Sequence, residues 1–270
     1  MSNTRTTFNP HYLAYGAEFG TTNLHAFNDA GTEALRAALQ LKPGQRILDL
    51  GCGTGRTVLT FTTKSRVDVI GMDWLEEMLH VARVRLNLAG LAPRLVRGDA
   101  AAGLPFQAGC YDAVFTESVL SIHSADRVYA MLSEIFRVLK PGGRFVANEG
   151  MWKKGTPPEI ISRICRSGIE DFGFPPVSDH GWSVKDWITV IHAAGFSVIS
   201  ADLLDMTRNG DSGWSFPDVI SRLVTLGFKL KAHLTPRIIR QRRHYERLLE
   251  KHRADYDHLE PRLFVARKPA

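Results

Sequence analysis

The run Ile47-Leu48-Asp49-Leu50-Gly51-Cys52-Gly53-Thr54-Gly55-Arg56-Thr57 constrains the fold more than any other part of the chain. A short apolar segment ends in glycines at 51, 53 and 55, then passes into an amphipathic stretch through Val58, Leu59 and Phe61. An apolar run of that length suits a strand buried on both faces, and such strands belong to parallel sheets. Glycines let the backbone turn sharply and approach a ligand closely, and the next helix presents its free N–H groups there. A dinucleotide fingerprint, GxGxxG, fails here because its third glycine slot holds Arg56. The pattern present is DxGxGxG, with Asp49 two residues before the first glycine. A carboxylate there repels a pyrophosphate but accepts hydrogen bonds from an ammonium, which favours a cationic, amino-acid-like cofactor over a nicotinamide dinucleotide.

The same alternation of strand and helix continues to about residue 150. Asn28 or Thr32 opens a helix carrying Leu35, Leu39 and Leu41, and Pro43-Gly44 closes it. Strands are expected at 67–73, 93–98, 111–116 and 144–149, with helices at 74–89 and, capped by Ser124, through Val128, Met131, Leu132, Ile135 and Val138. Short connections between alternating elements give a doubly wound α/β sheet covered on both faces. Residues 151–182 break the rhythm with two Pro-Pro pairs and two tryptophans. A helix at 184–194 and a strand at 196–204 resume it, a mostly helical insertion runs to about 257, and 262–267 closes the chain as a strand.

Asp49-x-Gly51-x-Gly53-x-Gly55 resembles motif I of class I S-adenosylmethionine (SAM) dependent methyltransferases. The likeness extends over about residues 20–150, 184–204 and 262–269. It implies a seven-stranded, mostly parallel, Rossmann-like sheet in the order 3-2-1-4-5-7-6, with the last strand antiparallel. It also implies that Asp73, closing the second strand, takes the ribose hydroxyls, and that Asp99 faces the adenine amino group with Ala100 beside the ring. Cys52, Trp74, Glu117 and Tyr15 complete the expected cofactor site, with S-adenosylhomocysteine as product. FGTTNLHAF (19–27) and the Glu117-Ser118…His123 arrangement are similar to small-molecule methyltransferases of the tocopherol, sterol and sugar O-methyltransferase type, also grouped as methyltransferase type 11. His123 falls later than that group's usual histidine. Residues 1–27 are expected to cover the active site, and 28–270 to form the SAM-binding domain, with lid insertions at about 151–182 and 205–257.

The acceptor class narrows by comparison of motifs. Nucleic-acid amine methyltransferases carry Asp/Asn-Pro-Pro-Tyr/Phe after the fourth strand, where this chain reads Thr116-Glu117-Ser118-Val119. No Pro-Cys pair suits cytosine methylation, and no cluster of oxygen ligands suits a metal. The expectation is a small-molecule acceptor, apolar or ring-bearing, methylated at O, N or C. Methyl transfer from a sulfonium is an in-line displacement that chiefly needs alignment. Where the acceptor loses a proton, His123, His25, Glu117 and His180 are the candidate bases. Trp152, Phe172, Phe174, Trp182, Trp214 and Phe216 supply an aromatic lid, or else a satellite core under long loops.

Charge keeps one alternative open. Between Lys229 and Arg253 lie nine Lys or Arg and two Glu, a local excess of seven, so the net +6 is carried by one helical segment and the rest of the chain is near −1. That segment is a solvated face or the RNA- or protein-binding surface of a different methyltransferase. A non-catalytic SAM-binding protein is the third reading. Three cysteines without a CxxC pair, and no apolar run long enough for a membrane span, point to a soluble, cytoplasmic protein. Oligomeric state is left open.

Overall fold

A computed structural model describes residues 9, 11–21, 28–204 and 215–270. His25, Trp214 and most of FGTTNLHAF lie outside the described residues. The chain begins with α1 (His11–Glu18) and α2 (Asn28–Leu39), then alternates β1 (Arg46–Leu50), α3 (Arg56–Ser65), β2 (Asp68–Asp73), α4 (Glu76–Leu88) and β3 (Leu95–Arg97). β4 (Tyr111–Glu117), α5 (Ala125–Val138) and β5 (Leu139–Trp152) follow, then α6 (Pro158–Phe172), α7 (Val184–Ala193) and β6 (Ser197–Leu203). Two long helices, α8 (Phe216–His233) and α9 (Pro236–Lys251), precede the closing strand β7 (Leu259–Arg267).

The seven strands form one sheet in the order β3-β2-β1-β4-β5-β7-β6, the order the methyltransferase resemblance implies. β7 runs antiparallel to both β5 and β6, and the other pairings are parallel. Alternate residues of each strand serve opposite faces. Leu48 and Leu50 of β1 pack with α5 and α7, whereas Ile47 packs with α2, α3, α4 and α8. Asp49 has the parity of Ile47 and so faces the layer containing α3.

α5 shows why the amphipathic reading works. Val128, Met131, Leu132, Ile135 and Val138 are all buried, each contributing about 1.5–3 kcal/mol by leaving water. Ser124 is its N-cap, but by backbone position only, without a side-chain bond. β5 is longer than the expected 144–149, because Leu139 already pairs with Tyr111 and Trp152 still pairs with Leu259. That extension carries β7 back to Leu259 from the expected 262. Among the described residues no helix is long and apolar enough to cross a membrane.

Candidate active site

β1 lies between β2 and β4, so the chain winds outward in both directions from the crevice beyond β1 and β4. Doubly wound sheets bind their ligands in that crevice. A cavity of about 670 Å³ opens there. At one end it is lined by Asp49, Gly51, Cys52, Gly53, Asp73 and Trp74. Two glycines of this turn are dictated by geometry. Gly51 has φ +83°, and a Cβ on it would stand 2.3 Å from Val119 Cγ2. Gly55, at φ +75°, lets α3 approach α4 until a Cβ would meet that of Ala82 at 2.8 Å. Gly55 is therefore a packing position and lies outside the cavity lining.

Three carboxylates converge on this end. Asp73 is buried and accepts the backbone N–H groups of Gly53 and Leu75, each at 2.9 Å, through different oxygens. Each oxygen keeps a further lone pair for a hydroxyl. Glu117 is held by the hydroxyls of Thr32 and Thr57, both at 2.9 Å. Asp49 is 3% exposed, and its Oδ2 has no hydrogen-bond partner. Burial, with the Glu117 and Asp73 charges adding to it, drives the Asp49 carboxyl well above the usual carboxylate range. A buried carboxyl with an idle oxygen is costly unless a ligand completes it. The donor set of two carboxylates and a third anchored beside them suits a ligand that brings positive charge and a diol. Cys52, raised by burial and by Asp49 and Asp73, is held as a thiol, which is the unreactive form.

The loop after β4 closes the middle of the cavity with Ser118, Val119, Ser121, Ile122 and His123. Ser118 adopts φ +56°, a conformation that costs a non-glycine residue about 1–3 kcal/mol and clusters at functional sites. The loop is stitched from beneath by Glu149, fully buried in β5. Its Oε1 accepts from Thr116 Oγ1 at 2.8 Å, Leu120 N at 3.2 Å and Val119 N at 3.3 Å, and its Oε2 from Ser121 N at 3.0 Å. His123, at the end of the loop, is pushed down to about 4 by burial, reinforced by Arg127. Its imidazole is neutral at neutral pH and free of the positive charge that would bar it from accepting a proton.

The other end of the cavity is aromatic and apolar. Tyr12 and Leu13 of α1, Ile164 and Phe172 of α6, Phe174, Val177, and Leu249 of α9 line it. Tyr12 meets Phe172 edge-on at 5.1 Å between ring centroids. One polar cluster interrupts this wall. His252 Nδ1 lies 2.8 Å from Asp255 Oδ2 and its Nε2 lies 2.7 Å from Asp171 Oδ2. Arg163 and Lys251 brace the two carboxylates from α6 and α9. The cluster pins the 3-10 turn Arg253–His258 to α6, and brings Tyr256 to the cavity.

Several expected residues lie elsewhere. Asp99 is outside the lining: its side chain receives Arg127 NH2 on both oxygens, at 2.7 and 2.9 Å, and the N–H of Ala101 at 3.0 Å. Ala100 is buried beside it at the start of a 3-10 turn. Tyr15 faces Tyr245, with centroids 4.4 Å apart, and also lies outside the lining. His180 stacks on Trp182 at 3.9 Å and edge-on to Trp187, away from the cavity. Of the six aromatics expected in a lid, Phe172 and Phe174 line the cavity. Trp152 is buried with its Nε1 donating to Ser178 O at 2.9 Å, Trp182 packs against the main core, and Phe216 is 53% exposed. Sequence reasoning missed Glu149, His252 and Asp255. A charged residue ending an otherwise apolar buried strand, as in Arg144-Phe145-Val146-Ala147-Asn148-Glu149, was the available signal for the first.

Comparison with known proteins agrees with this geometry. The methyltransferase domain model matches residues 47–143, which span the glycine turn, the loop after β4 and the turn into β5. An uncharacterised methyltransferase of Bacillus subtilis, YodH, is 30% identical over 70% of this chain and 76% of its own length. The botryococcene C-methyltransferase of Botryococcus braunii is 31% identical over 70% of this chain, which spans 48% of that relative's length. Among solved structures, a phosphoethanolamine N-methyltransferase of Haemonchus contortus in complex with SAM superposes with TM-score 0.68 at 20% identity, covering 98% of this chain and 59% of its own. The chain belongs to the SAM-dependent methyltransferase family. Its cofactor is SAM, and the carboxylate-rich end of the cavity, with the idle oxygen of Asp49, is chemically matched to it.

Proposed function

We propose that the chain methylates a small molecule with an apolar or ring-bearing body, at an O, N or C atom. The observation that carries this reading is that one cavity is lined both by the carboxylates Asp49, Asp73 and Glu117 and by the rings of Tyr12, Phe172 and Phe174, with His123 in the same lining. Bound SAM supplies an activated methyl group on a cationic sulfur. Asp73 is assigned to its ribose hydroxyls and Asp49 to its ammonium, with Gly51, Cys52, Gly53 and Trp74 shaping the bed. Gly55, Asp99, Ala100 and Tyr15 support that bed from outside the lining. Glu117, tied to two threonine hydroxyls, holds the site in shape in preference to moving a proton. His123 takes the proton where the acceptor must lose one, and His25 is kept as a second candidate.

The same reading gives the insertions a purpose. Residues 1–27 cover the site through Tyr12 and Leu13, and the insertions at about 151–182 and 205–257 form the lid through Phe172, Phe174, Leu249 and Tyr256, all of which line the cavity. An aromatic wall fits an apolar acceptor better than the phosphates of RNA. Three free thiols, two of them buried, suit a cytoplasmic setting. One of the relatives named above is a botryococcene C-methyltransferase.

Calorimetric titration with SAM, S-adenosylhomocysteine and NAD tests the cofactor end, using the native protein and Asp73→Ala. Binding of the first two, lost in the variant and absent for NAD, is expected. Transfer of labelled methyl from SAM to a panel of sterols, linear isoprenoids, phenols and RNA then tests the acceptor end. Turnover of RNA alone would overturn the small-molecule reading.

A further inference from the structure

α8 carries two apolar faces. Ile220, Val224 and Ala232 are buried toward the body of the protein. On the opposite side Leu223, Leu226 and Leu230 are 56, 55 and 59% exposed, and Leu234, just past the end of the helix, is 85% exposed. Their spacing of three and four residues places them in one stripe. A soluble helix has no use for a second leucine face turned to water, and a contiguous exposed apolar stripe marks a docking surface.

The charges around the stripe select its occupant. At 100° per residue, the exposed Arg222 and Lys229 run along one edge of it and Lys231 along the other. The neighbouring helix α9 buries Ile238 and Tyr245, and presents Arg240, Arg243 and Arg247 outward at the same three-and-four spacing, with Glu246 and Glu250 among them, so that its outer face keeps a net positive charge. Leucines flanked by Lys and Arg are the composition of a helix lying in the interface of an anionic bilayer. An acidic protein would meet the cations but leave the leucine stripe unmatched.

We propose that the α8–α9 hairpin docks on an anionic phospholipid surface, with the α8 leucines in the headgroup–acyl boundary and the arginines of α9 on lipid phosphates. The docking does not depend on the apolar-acceptor reading above.

Sedimentation with vesicles of phosphatidylcholine alone, and of phosphatidylcholine mixed with phosphatidylglycerol, tests the proposal without any acceptor. The native protein is expected to bind the mixed vesicles and to release them as salt is raised. Leu226→Asp/Leu230→Asp and Arg240→Glu/Arg243→Glu/Arg247→Glu are each expected to weaken that binding by about tenfold or more, with SAM affinity unchanged. Absence of vesicle binding by a protein that still binds SAM would overturn the docking alone. So would binding unaffected by both sets of substitutions, or a concentration-dependent dimer that Leu226→Asp dissociates. Failure to bind SAM would instead strike the functional reading and leave the vesicle result standing.

Discussion

Glu149 reaches from β5 to accept the backbone N–H of Ser121 at 3.0 Å, two residues before His123. With Thr116 and the N–H groups of Val119 and Leu120 on its other oxygen, one buried carboxylate of β5 ties down the loop beyond Ser118, whose own N–H is held by Asn148 O of the same strand. An amide in its place keeps the shape but turns an N–H₂ toward at least one of these donors. Glu149→Gln is expected to lower kcat by about 10–100-fold, as a small misplacement of reacting groups does. The dissociation constant for SAM should stay within about threefold, since the cofactor end does not touch Glu149. Glu149→Ala strands several buried donors and should lower stability by more than about 3 kcal/mol. Steady-state kinetics beside titration separates the two effects, and an equal loss of SAM affinity in the glutamine variant would refute the assignment.

Asp49 stores a proton that a cationic cofactor should displace. Its folded-state carboxyl is raised by burial and by the neighbouring charges, so the native state without cofactor binds a proton that the unfolded chain has released. Its contribution to stability is therefore full below the ordinary carboxylate value and declines as pH rises toward the elevated one. SAM binding should release this proton. Titrations in buffers of different ionisation enthalpy are expected to show the release in the native protein and its absence in Asp49→Asn, which should also bind SAM at least tenfold more weakly.

His123 titrates in the opposite sense. Burial depresses it to about 4, so between that value and about 6.5 the unfolded chain holds more protons than the folded one. The penalty is absent above the unfolded value and grows as pH falls toward the folded one. His123→Asn should flatten the acid side of the stability profile measured by thermal denaturation. With an acceptor that must lose a proton, the same variant should lose about 10²–10⁴ in kcat. At saturating SAM, native kcat/KM for the acceptor should hold steady down to about pH 5, because the base remains unprotonated there.

Gly51 and Val119 form a tight joint between the cofactor turn and the loop after β4. Gly51→Ala combines a left-handed backbone with a 2.3 Å collision, and is expected to cost about 2–4 kcal/mol and most SAM affinity. Val119→Ala removes the colliding methyl but leaves the backbone strain. The double variant should therefore recover part of the stability of Gly51→Ala, and not all of it. A double-mutant cycle by chemical denaturation measures the coupling, and strict additivity would show that the two residues do not meet.

The strands were legible because parallel strands buried on both faces, such as Ile47–Leu50, write themselves as continuous apolar runs; their order came from the family resemblance alone, and the sheet has that order. The cofactor turn was legible because its chemistry needs consecutive residues. Contacts made across the fold were not. Nothing local announces that Arg127 will take both oxygens of Asp99, or that Trp152 and Trp182 will join the core instead of the cavity. Tyr245 lies on α9 and meets α1, whereas His252 caps that helix and Tyr256 belongs to the 3-10 turn after it, and periodicity could not say which surface His252 would meet. That surface is α6, eighty residues earlier, through Asp171.

The two ends of the cavity are built from different kinds of chain. The cofactor bed hangs on β1, β2 and β4, whose every residue is answerable to the sheet. The aromatic wall is assembled from α1, α6, α9 and a 3-10 turn, clamped to one another by the His252 cluster and by the rings around Tyr12. Such a wall can be recut without disturbing the bed. Successive changes at Phe172, Phe174, Leu249 or Tyr256 would exchange one clientele for another while the methyl donor stayed the same, and a scaffold divided in this way is free to diversify at one end only.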